Sequence, residues 1–392
     1  RDRANPLDPH NPDTAGSPVG FTAVAFSGQV LLSWSATPGL GTQIFRRADA
    51  DPDFTALSAV LAPGQSLYTD VSAPNDITYH YRLFFVTSKG LAGRPATAEA
   101  TPSRVIAWTA DRQRGSLIRL SADGREIAFE EPLFGEPGHL AVDRTRDVVW
   151  VTDFAGGRVV VYQPAIGGRV SIPGFQAPNV VAVDPVDGSA WVTDYVLGVV
   201  RHVLASGNPG TPSQIALLDG PLGVDVDPQT RSLWVCERQA GKVRRYDLNG
   251  VPTGSVNVPF PSRVAVDSAN GEAWITSFES GLLVHVATNL SLLHTLTGLR
   301  GPVGVAVDGR RGRIWVADPV AGQVLAYRRD GSEELRVGGL PGARDLAVEL
   351  ASGEAWVAAS GTVVRVSPAG VVVVTARGLT APVAVGLDRF GP

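Results

Sequence analysis

Seven tryptophans recur at nearly constant intervals along this chain of 392 residues. They are Trp108, Trp150, Trp191, Trp234, Trp274, Trp315 and Trp356. Their successive spacings are 42, 41, 43, 40, 41 and 41 residues. Six of them follow, by seven residues, an acid that ends a short apolar segment, as Val181–Asp184 precedes Trp191. A period of about 20–50 residues is typical of structural units that bury their apolar faces only by stacking on neighbouring copies.

Each repeat contains four short segments whose apolar residues alternate with period two. The first segment reads Val-Ala-Val-Asp, the second carries the tryptophan, and a third and a more variable fourth follow. Glycine (44) and proline (29) are abundant and separate these segments. Alternation bounded by turn residues predicts β-strands, so we expect an all-β fold built from four-stranded units.

The two ends of the repeated region complement each other. Val385–Asp388 is a further copy of the first segment with no tryptophan after it, whereas Trp108 has no such segment before it. We therefore expect the C-terminal strand to join the sheet that begins near Trp108. This interlocked closure predicts a seven-bladed β-propeller over residues 104–388, because a closed ring removes exposed sheet edges.

The repeat resembles that of NHL and streptogramin-lyase-like propellers. The closest copies are Trp150–Asp153 and Trp191–Asp194, which both read Trp-Val-Thr-Asp. The resemblance implies a propeller fold. It leaves function open, because some relatives are metal-dependent lyases with top-face histidines or cation-binding lactonases, and others bind proteins or build surfaces.

Residues 17–102 show a different pattern that resembles a fibronectin type III domain. Val30–Trp34 reads as a strand whose tryptophan matches the core tryptophan of that family, and Tyr79 matches its corner tyrosine. The resemblance implies a seven-stranded sandwich and indicates little about a ligand.

Residues 1–16 form a polar segment with prolines at positions 6, 9 and 12, which predicts an extended tail. The segment resembles the stretch that follows the lipid-bearing cysteine of bacterial surface lipoproteins. We therefore expect an extracellular or cell-surface protein with a lipid anchor upstream of Arg1.

Composition excludes several classes of function. A net charge of −4 leaves no general basic field for nucleic acid. A single cysteine, Cys236, excludes an internal disulfide framework and a cysteine-cluster metal site, and its place in the repeat predicts a small buried residue. No apolar run is long enough for a transmembrane helix.

The repeated acids allow two interpretations. Acids three residues after tryptophan, such as Asp153 and Asp194, form either a ring of carboxylates around a cation or caps on their own hairpin turns. A feature present in most repeats is best explained by the repeat itself, so we favour the capping role.

Candidate ligand-binding residues lie where the repeat breaks at the channel mouth, four and five positions before each Val-Ala-Val-Asp acid. They are His139, Asn179, Ser262, Arg263, Arg344 and Asp345. Converging polar groups of this kind orient small ligands, although solvated loop residues are the alternative interpretation. Arg344 and Asp345 also lie beside the shortened hairpin after Trp356, which suggests a docking notch for a partner.

These observations favour binding over catalysis. His139 is the only histidine at the mouth, whereas His202 and His285 are expected on the outer surface of third strands. No mouth glutamate accompanies Asn179, so we predict no catalytic residue, no metal ligand and no cofactor. We expect a non-catalytic binding or structural protein that contacts other proteins or copies of itself. The alternative is a lyase or lactonase that uses a divalent cation at the mouth.

Overall fold

A computed structural model describes residues 17–26, 28–75, 77–87, 94–102, 105–132 and 134–389. Within these ranges every regular element is a β-strand, which confirms the all-β prediction. The same ranges contain no helix long and apolar enough to cross a membrane. The predicted extended tail, residues 1–16, lies outside the described residues.

The chain divides into two compact units. The first lies within Arg1–Ile106 and also takes in Ser121–Glu126. The second comprises Ala107–Leu120 and Ile127–Arg389. The predicted domain boundaries, 17–102 and 104–388, stay predictions.

Two sheets form the first unit. Its strands are β1 (Val19–Phe26), β2 (Gln29–Ser35), β3 (Gly41–Ala48), β4 (Thr55–Ala56), β5 (Leu67–Asp70), β6 (Tyr79–Val86) and β7 (Ala96–Ala100). One sheet has the order β1-β2-β5 and the other β4-β3-β6-β7. Trp34, Ile44 and Tyr81 are buried in the shared apolar core. The Tyr81 hydroxyl donates a hydrogen bond of 2.9 Å to Asp70 Oδ2, so this buried polar group is satisfied.

The second unit is built from short strands joined by tight turns. They are β8 (Val105–Asp111), β9 (Ser116–Leu120), β10 (Ile127–Glu131), β11 (Pro137–Asp143), β12 (Val148–Asp153), β13 (Arg158–Gln163), β14 (Gly168–Pro173), β15 (Pro178–Val183), β16 (Ala190–Asp194), β17 (Val199–Val203), β18 (Pro209–Ile215), β19 (Pro221–Asp227), β20 (Ser232–Glu237), β21 (Lys242–Asp247), β22 (Pro252–Asn257), β23 (Pro261–Asp267), β24 (Glu272–Ser277), β25 (Leu282–Val286), β26 (Leu292–Leu296), β27 (Val305–Asp308), β28 (Arg313–Asp318), β29 (Gln323–Arg328), β30 (Glu333–Gly338), β31 (Asp345–Val348), β32 (Ala355–Ala359), β33 (Thr362–Val366), β34 (Val372–Thr375) and β35 (Pro382–Arg389).

These strands form four-stranded antiparallel sheets arranged in a closed cycle. Six sheets use four consecutive strands, such as β11-β12-β13-β14, whereas another has the order β10-β9-β8-β35. The C-terminal strand therefore lies beside the strand that carries Trp108, as the sequence predicts. The first strands of successive sheets contact one another from β11 to β31, and β35 contacts both β31 and β11. This cyclic arrangement is a β-propeller.

The first strand of each consecutive sheet, and β35 in the closing sheet, lie around the axis of the cycle, and we call them the inner strands. Because consecutive strands are antiparallel, the loops that enter the inner strands lie at the same end as the turns between second and third strands. We call this end the upper end. The turns between first and second strands lie at the lower end.

The tryptophans fill the gaps between neighbouring sheets. Trp150 packs with Val181 and Val192 of the following sheet, and Trp191 packs with Val224 in the same way. All seven repeat tryptophans are fully buried. Burying each indole contributes about 4–6 kcal/mol of transfer free energy, which is lost where the next sheet is missing.

The prediction that His202 and His285 are surface residues is wrong. His202 is buried and stacks on Trp191, with ring centroids 4.2 Å apart. His285 is buried and stacks on Trp274 at 3.9 Å. Each imidazole lies on the third strand and covers the indole of the second strand in its own sheet. Packing against this tryptophan buries the histidine.

Candidate functional site

The inner strands begin with an irregular pairing that shapes the channel mouth. The register of β11 against β12 shifts between Pro137 and Leu140, and β15 shifts likewise between Pro178 and Val181. The threonine of the tryptophan strand anchors each bulge, because Thr152 Oγ1 accepts a hydrogen bond of 2.9 Å from the His139 N–H. The same hydroxyl donates at 3.0 Å to the Asn179 carbonyl of the next sheet. The same irregularity recurs at the start of β19 and β23, so it belongs to the repeat and sets the backbone at the channel mouth.

Two cavities along the axis are lined by residues that the sequence predicts to bind a ligand. The larger, of about 360 Å³, is the central channel, and its lining includes His139, Arg263 and Asp345. The smaller, of about 120 Å³, is lined by Asn179, Arg263 and Arg344 together with loop residues of the upper end, and we call it the upper cavity. Five of the six predicted residues therefore line the axis.

Ser262 has a different place from the one predicted. It is buried and belongs to the lining of neither cavity. Its hydroxyl accepts a hydrogen bond of 3.1 Å from the Phe278 N–H and so fixes the turn between β24 and β25. Its role in the structure is local support of that turn.

Arg263 places a guanidinium between the two cavities. Its Nη1 is buried and has no hydrogen-bond partner among the described residues. Burial lowers the pKa of Arg263, and the Asp345 carboxylate opposes that change. A buried cation with an unmatched donor is costly, and Arg263 carries this cost at the axis of the propeller.

Asp345 bridges two inner strands. Its Oδ2 accepts a hydrogen bond of 2.9 Å from the Val385 N–H of the next sheet. Burial raises the pKa of Asp345 to about 6, against the opposing effect of Arg263. Because the side chain is only 8% exposed, the predicted docking notch at Arg344 and Asp345 is wrong for Asp345. The carboxyl faces the channel rather than a partner.

Asp225 is a channel residue that the sequence analysis missed. It occupies the second position of the Val-Ala-Val-Asp segment, which faces the axis in every sheet. The residues at this position are Ala141, Ala182, Asp225, Ala265, Ala306, Ala347 and Gly386. The Val-Asp-Val-Asp sequence of Val224–Asp227 was the available signal.

The Asp225 carboxylate also joins neighbouring inner strands. It accepts hydrogen bonds from the Val226 N–H at 2.9 Å and from the Val266 N–H at 2.8 Å. Burial nevertheless raises the pKa of Asp225 to about 6. The axis-facing edge of an inner strand lacks a neighbouring strand, and acidic side chains such as this one satisfy part of it.

His139 is held neutral in the channel. Burial, and next the charge of Arg263, place the pKa of His139 well below its ordinary value. Its Nδ1 lies 3.4 Å from the Val181 N–H, which assigns the ring proton to Nε2. A neutral imidazole beside a guanidinium is poorly placed to act as a general acid at neutral pH.

The repeated acids after tryptophan fix loops at the upper end. Asp153 accepts hydrogen bonds from the Gly156 N–H of its own turn and from the N–H groups of Gly135 and Glu136 before β11. Asp194 does the same with Leu197 and with Gln176 and Ala177. The capping interpretation is confirmed, and each acid also ties down the loop that enters the inner strand.

No group of three or more His, Cys, Asp or Glu side chains that could hold a metal ion converges within the described residues. Cys236 is buried, as predicted, and burial raises the pKa of its thiol.

Several exposed apolar side chains lie on the loops of the upper end. Leu217, in the loop before β19, is 97% exposed and has a positive φ of 62°. Phe260, in the loop after β22, is 50% exposed with a φ of 45°. Phe278 and Val320 lie close together, because a Cβ on Gly301 would meet both side chains within 3 Å. We call Leu217, Phe260, Phe278 and Val320, which lie on upper-end loops of neighbouring sheets, the apolar loop cluster.

Known structures support the β-propeller. The chain is similar to a functionally unknown protein from Desulfotomaculum acetoxidans DSM 771, with a TM-score of 0.63 and 16% identity over 73% of this chain and 99% of that one. A streptogramin B lyase gives a TM-score of 0.54 and 13% identity over 62% and 83% of the two chains. A chain of the nidogen/laminin complex gives 0.51 and 14% identity over 72% and 98%.

These likenesses show the fold alone, because the identities are far below those that carry function. No family model matches the chain. No curated protein matches it in sequence.

Proposed function

We propose that this chain is a non-catalytic binding protein whose propeller contacts other proteins, first among them copies of itself, through the apolar loop cluster. The observation that carries the proposal is the conformation of Leu217 and Phe260. A bulky residue in the left-handed region costs about 1–2 kcal/mol. Here that cost accompanies a Leu217 side chain that lies almost wholly in solvent and a Phe260 side chain that is half exposed, so burial within the chain offsets it little at Leu217 and only in part at Phe260.

An apolar surface is complementary to itself. A two-fold contact between copies would bury the cluster on both molecules at once, whereas a charged surface would repel its own copy. Interface cores are enriched in aromatic residues, and the cluster contains Phe260 and Phe278. The charged pair Arg238 and Glu279 lies between loops of the same end and would form part of a polar rim.

The test replaces the strained residues with one that tolerates their backbone. Asparagine adopts positive φ readily and is polar, so a Leu217→Asn and Phe260→Asn double variant should fold at least as stably as the parent. Sedimentation equilibrium across about two orders of magnitude in concentration measures association by mass action. We expect the parent chain to dimerise and the double variant to stay monomeric.

A matched control lies at the lower end. Ile166 and Val186 are 77% and 57% exposed on turns of that end. The Ile166→Asn and Val186→Asn double variant should associate like the parent. A parent chain that stays monomeric at every concentration, or equal effects of the two double variants, would overturn the proposal.

The number of blades and the type of the first domain are also proposed. We propose that the sheets of the second unit are the blades of a seven-bladed propeller, and that residues 17–102 form a fibronectin type III domain. The strand order β1-β2-β5 and β4-β3-β6-β7 supports the second assignment. An extracellular or cell-surface location with a lipid anchor upstream of Arg1 fits a binding role, and the resemblance of residues 1–16 is its support.

A further inference from the structure

The upper cavity brings three arginines together. Arg112, Arg263 and Arg344 all line it, along with Asn179. They come from three different sheets, so the propeller fold rather than local sequence gathers them. Burial, and next the charge of Arg112, lower the pKa of Arg344, which places these two cations within electrostatic reach of each other.

The charge of these arginines is poorly compensated. Arg263 Nη1 has no hydrogen-bond partner, and neither Arg263 nor Arg344 has an ion pair within the described residues. The Asp345 carboxylate acts on Arg263 through its charge, but its Oδ2 accepts a hydrogen bond from the Val385 N–H and no ion pair joins the two side chains within the described residues. Arg112 Nε lies 3.4 Å from Glu136 Oε1 at the exposed rim. Buried donors without acceptors are rare in folded proteins and call for an explanation.

The size of the cavity limits what it can hold. A volume of about 120 Å³ suits a group of a few heavy atoms, whereas drug-sized ligands occupy about 300–1,000 Å³. Guanidinium groups match planar or tetrahedral oxyanions by bidentate hydrogen bonds. The Asn179 side chain offers both a donor and an acceptor at the same cavity.

We propose that Arg112, Arg263 and Arg344 form a binding site for one small oxyanion, a phosphate, sulfate or carboxylate group, at the upper end of the channel. The site goes beyond the proposed protein contacts and does not depend on them. The group belongs either to a free anion or to an acidic side chain presented by a second copy of the chain. Arg263 supplies the buried donor, and Arg344 and Arg112 close the cavity from the rim.

The experiment titrates the intact chain with inorganic phosphate, and separately with acetate, at constant ionic strength set by chloride. Isothermal calorimetry should show saturable binding of one anion per chain, and the melting temperature should rise with ligand concentration. The Arg263→Gln and Arg344→Gln variants should each weaken phosphate binding at least about tenfold. Arg336→Gln, which alters an exposed arginine paired with Glu333 on β30, should bind phosphate like the parent.

Two results would overturn the site: phosphate stabilises no more than chloride does, or Arg263→Gln and Arg344→Gln bind it unchanged. Should Arg263→Gln fail to fold, the exposed Arg112 and Arg344 allow an Arg112→Gln and Arg344→Gln double variant with the same expected loss.

A second arm identifies the source of the anion and is independent of the first. If phosphate dissociates a dimer of the parent chain, phosphate competes for the site with a carboxylate of the second copy. Phosphate that binds without changing the mass indicates a free anion. Loss of association in the Leu217→Asn and Phe260→Asn variant, with phosphate binding retained, separates this site from the proposed contact surface.

Discussion

Thr109 Oγ1 donates a hydrogen bond of 2.7 Å to the carbonyl oxygen of Ala384, a residue 275 positions later in the chain. Asp111 strengthens the same junction, because its carboxylate accepts hydrogen bonds from the N–H groups of Thr380 and Ala381 at 2.7 and 3.0 Å. These contacts hold the C-terminal strand β35 beside β8. The closed cycle therefore depends on polar groups of the first and last repeats as well as on the buried tryptophans.

Removing the Asp111 carboxylate should weaken the closure. An Asp111→Ala variant leaves the Thr380 and Ala381 N–H groups without their acceptor, which we expect to cost about 2–4 kcal/mol of unfolding free energy. Urea unfolding measures the loss, and amide exchange should locate it in β35. Asp53 is exposed in the first unit, and Asp53→Ala should change neither quantity. Equal effects of the two substitutions would contradict this role for Asp111.

Cys236 occupies the position at which three other sheets carry a threonine, Thr152, Thr193 and Thr276, and the rest carry an alanine. Thr193 Oγ1 donates at 2.8 Å to the Leu222 carbonyl of the next sheet, and it accepts from the Val180 N–H at 3.0 Å. A Cys236→Thr variant should form the equivalent hydrogen bonds and stabilise the chain by about 1 kcal/mol. The reciprocal Thr193→Cys variant should lose a similar amount. Denaturant midpoints that move in the opposite directions would refute the assigned role of this threonine.

Asp225 should make stability depend on pH in an unusual direction. Its folded-state pKa of about 6 lies above the ordinary aspartate value, so its stabilising contribution is present at low pH and disappears as pH rises through 6. Two pKa units correspond to roughly 3 kcal/mol. Relative to the parent, Asp225→Asn should therefore gain up to about that amount between pH 4 and pH 8.

Asp153 provides the control of opposite sign. Burial alone would raise the pKa of Asp153, but hydrogen bonds from Glu136, Arg158, Gly135 and Gly156 lower it. Its contribution is present at neutral pH and disappears as pH falls through the folded-state pKa. Asp153→Asn should thus be destabilising at pH 7, with a difference that shrinks in acid. Parallel pH profiles for the two variants would contradict the assigned environments.

Gly210 is required by the buried His202 ring. A Cβ on Gly210 would lie 2.2 Å from His202 Nδ1, so Gly210→Ala should lower the free energy of unfolding by about 2 kcal/mol or more. Truncating the ring in a His202→Ala background should remove most of that penalty. A double-mutant cycle measures this coupling, and additive losses would show that the two residues do not clash.

The fold could be predicted from the sequence because each repeat shows the alternation of apolar and polar residues in its strands. The tryptophan spacing and the unmatched Val385–Asp388 segment were enough to predict the cycle and its closure. The same positional argument placed Arg263 and Asp345 at the axis, since inner strands enter from the upper end. Asp225 was missed because its segment was taken as an ordinary copy, although the alanine at that position is replaced.

Other features depend on packing that a single repeat does not reveal. His202 has the sequence context of an exposed third strand, yet its ring covers Trp191. The positive φ of Leu217 and Phe260 arises from loop geometry, and neither residue type indicates it. Arg112 and Arg344 are distant in sequence and meet only because the cycle closes. Long-range geometry, rather than local propensity, determines the upper cavity.

Amide hydrogen exchange at low and high protein concentration tests the binding function most directly. If the apolar loop cluster joins copies of the chain, the loops around Leu217, Phe260, Phe278 and Val320 should become protected as concentration rises. Turns of the lower end, such as the one containing Ile166, should exchange at an unchanged rate. Protection confined to other surfaces, or none at any concentration, would contradict the account.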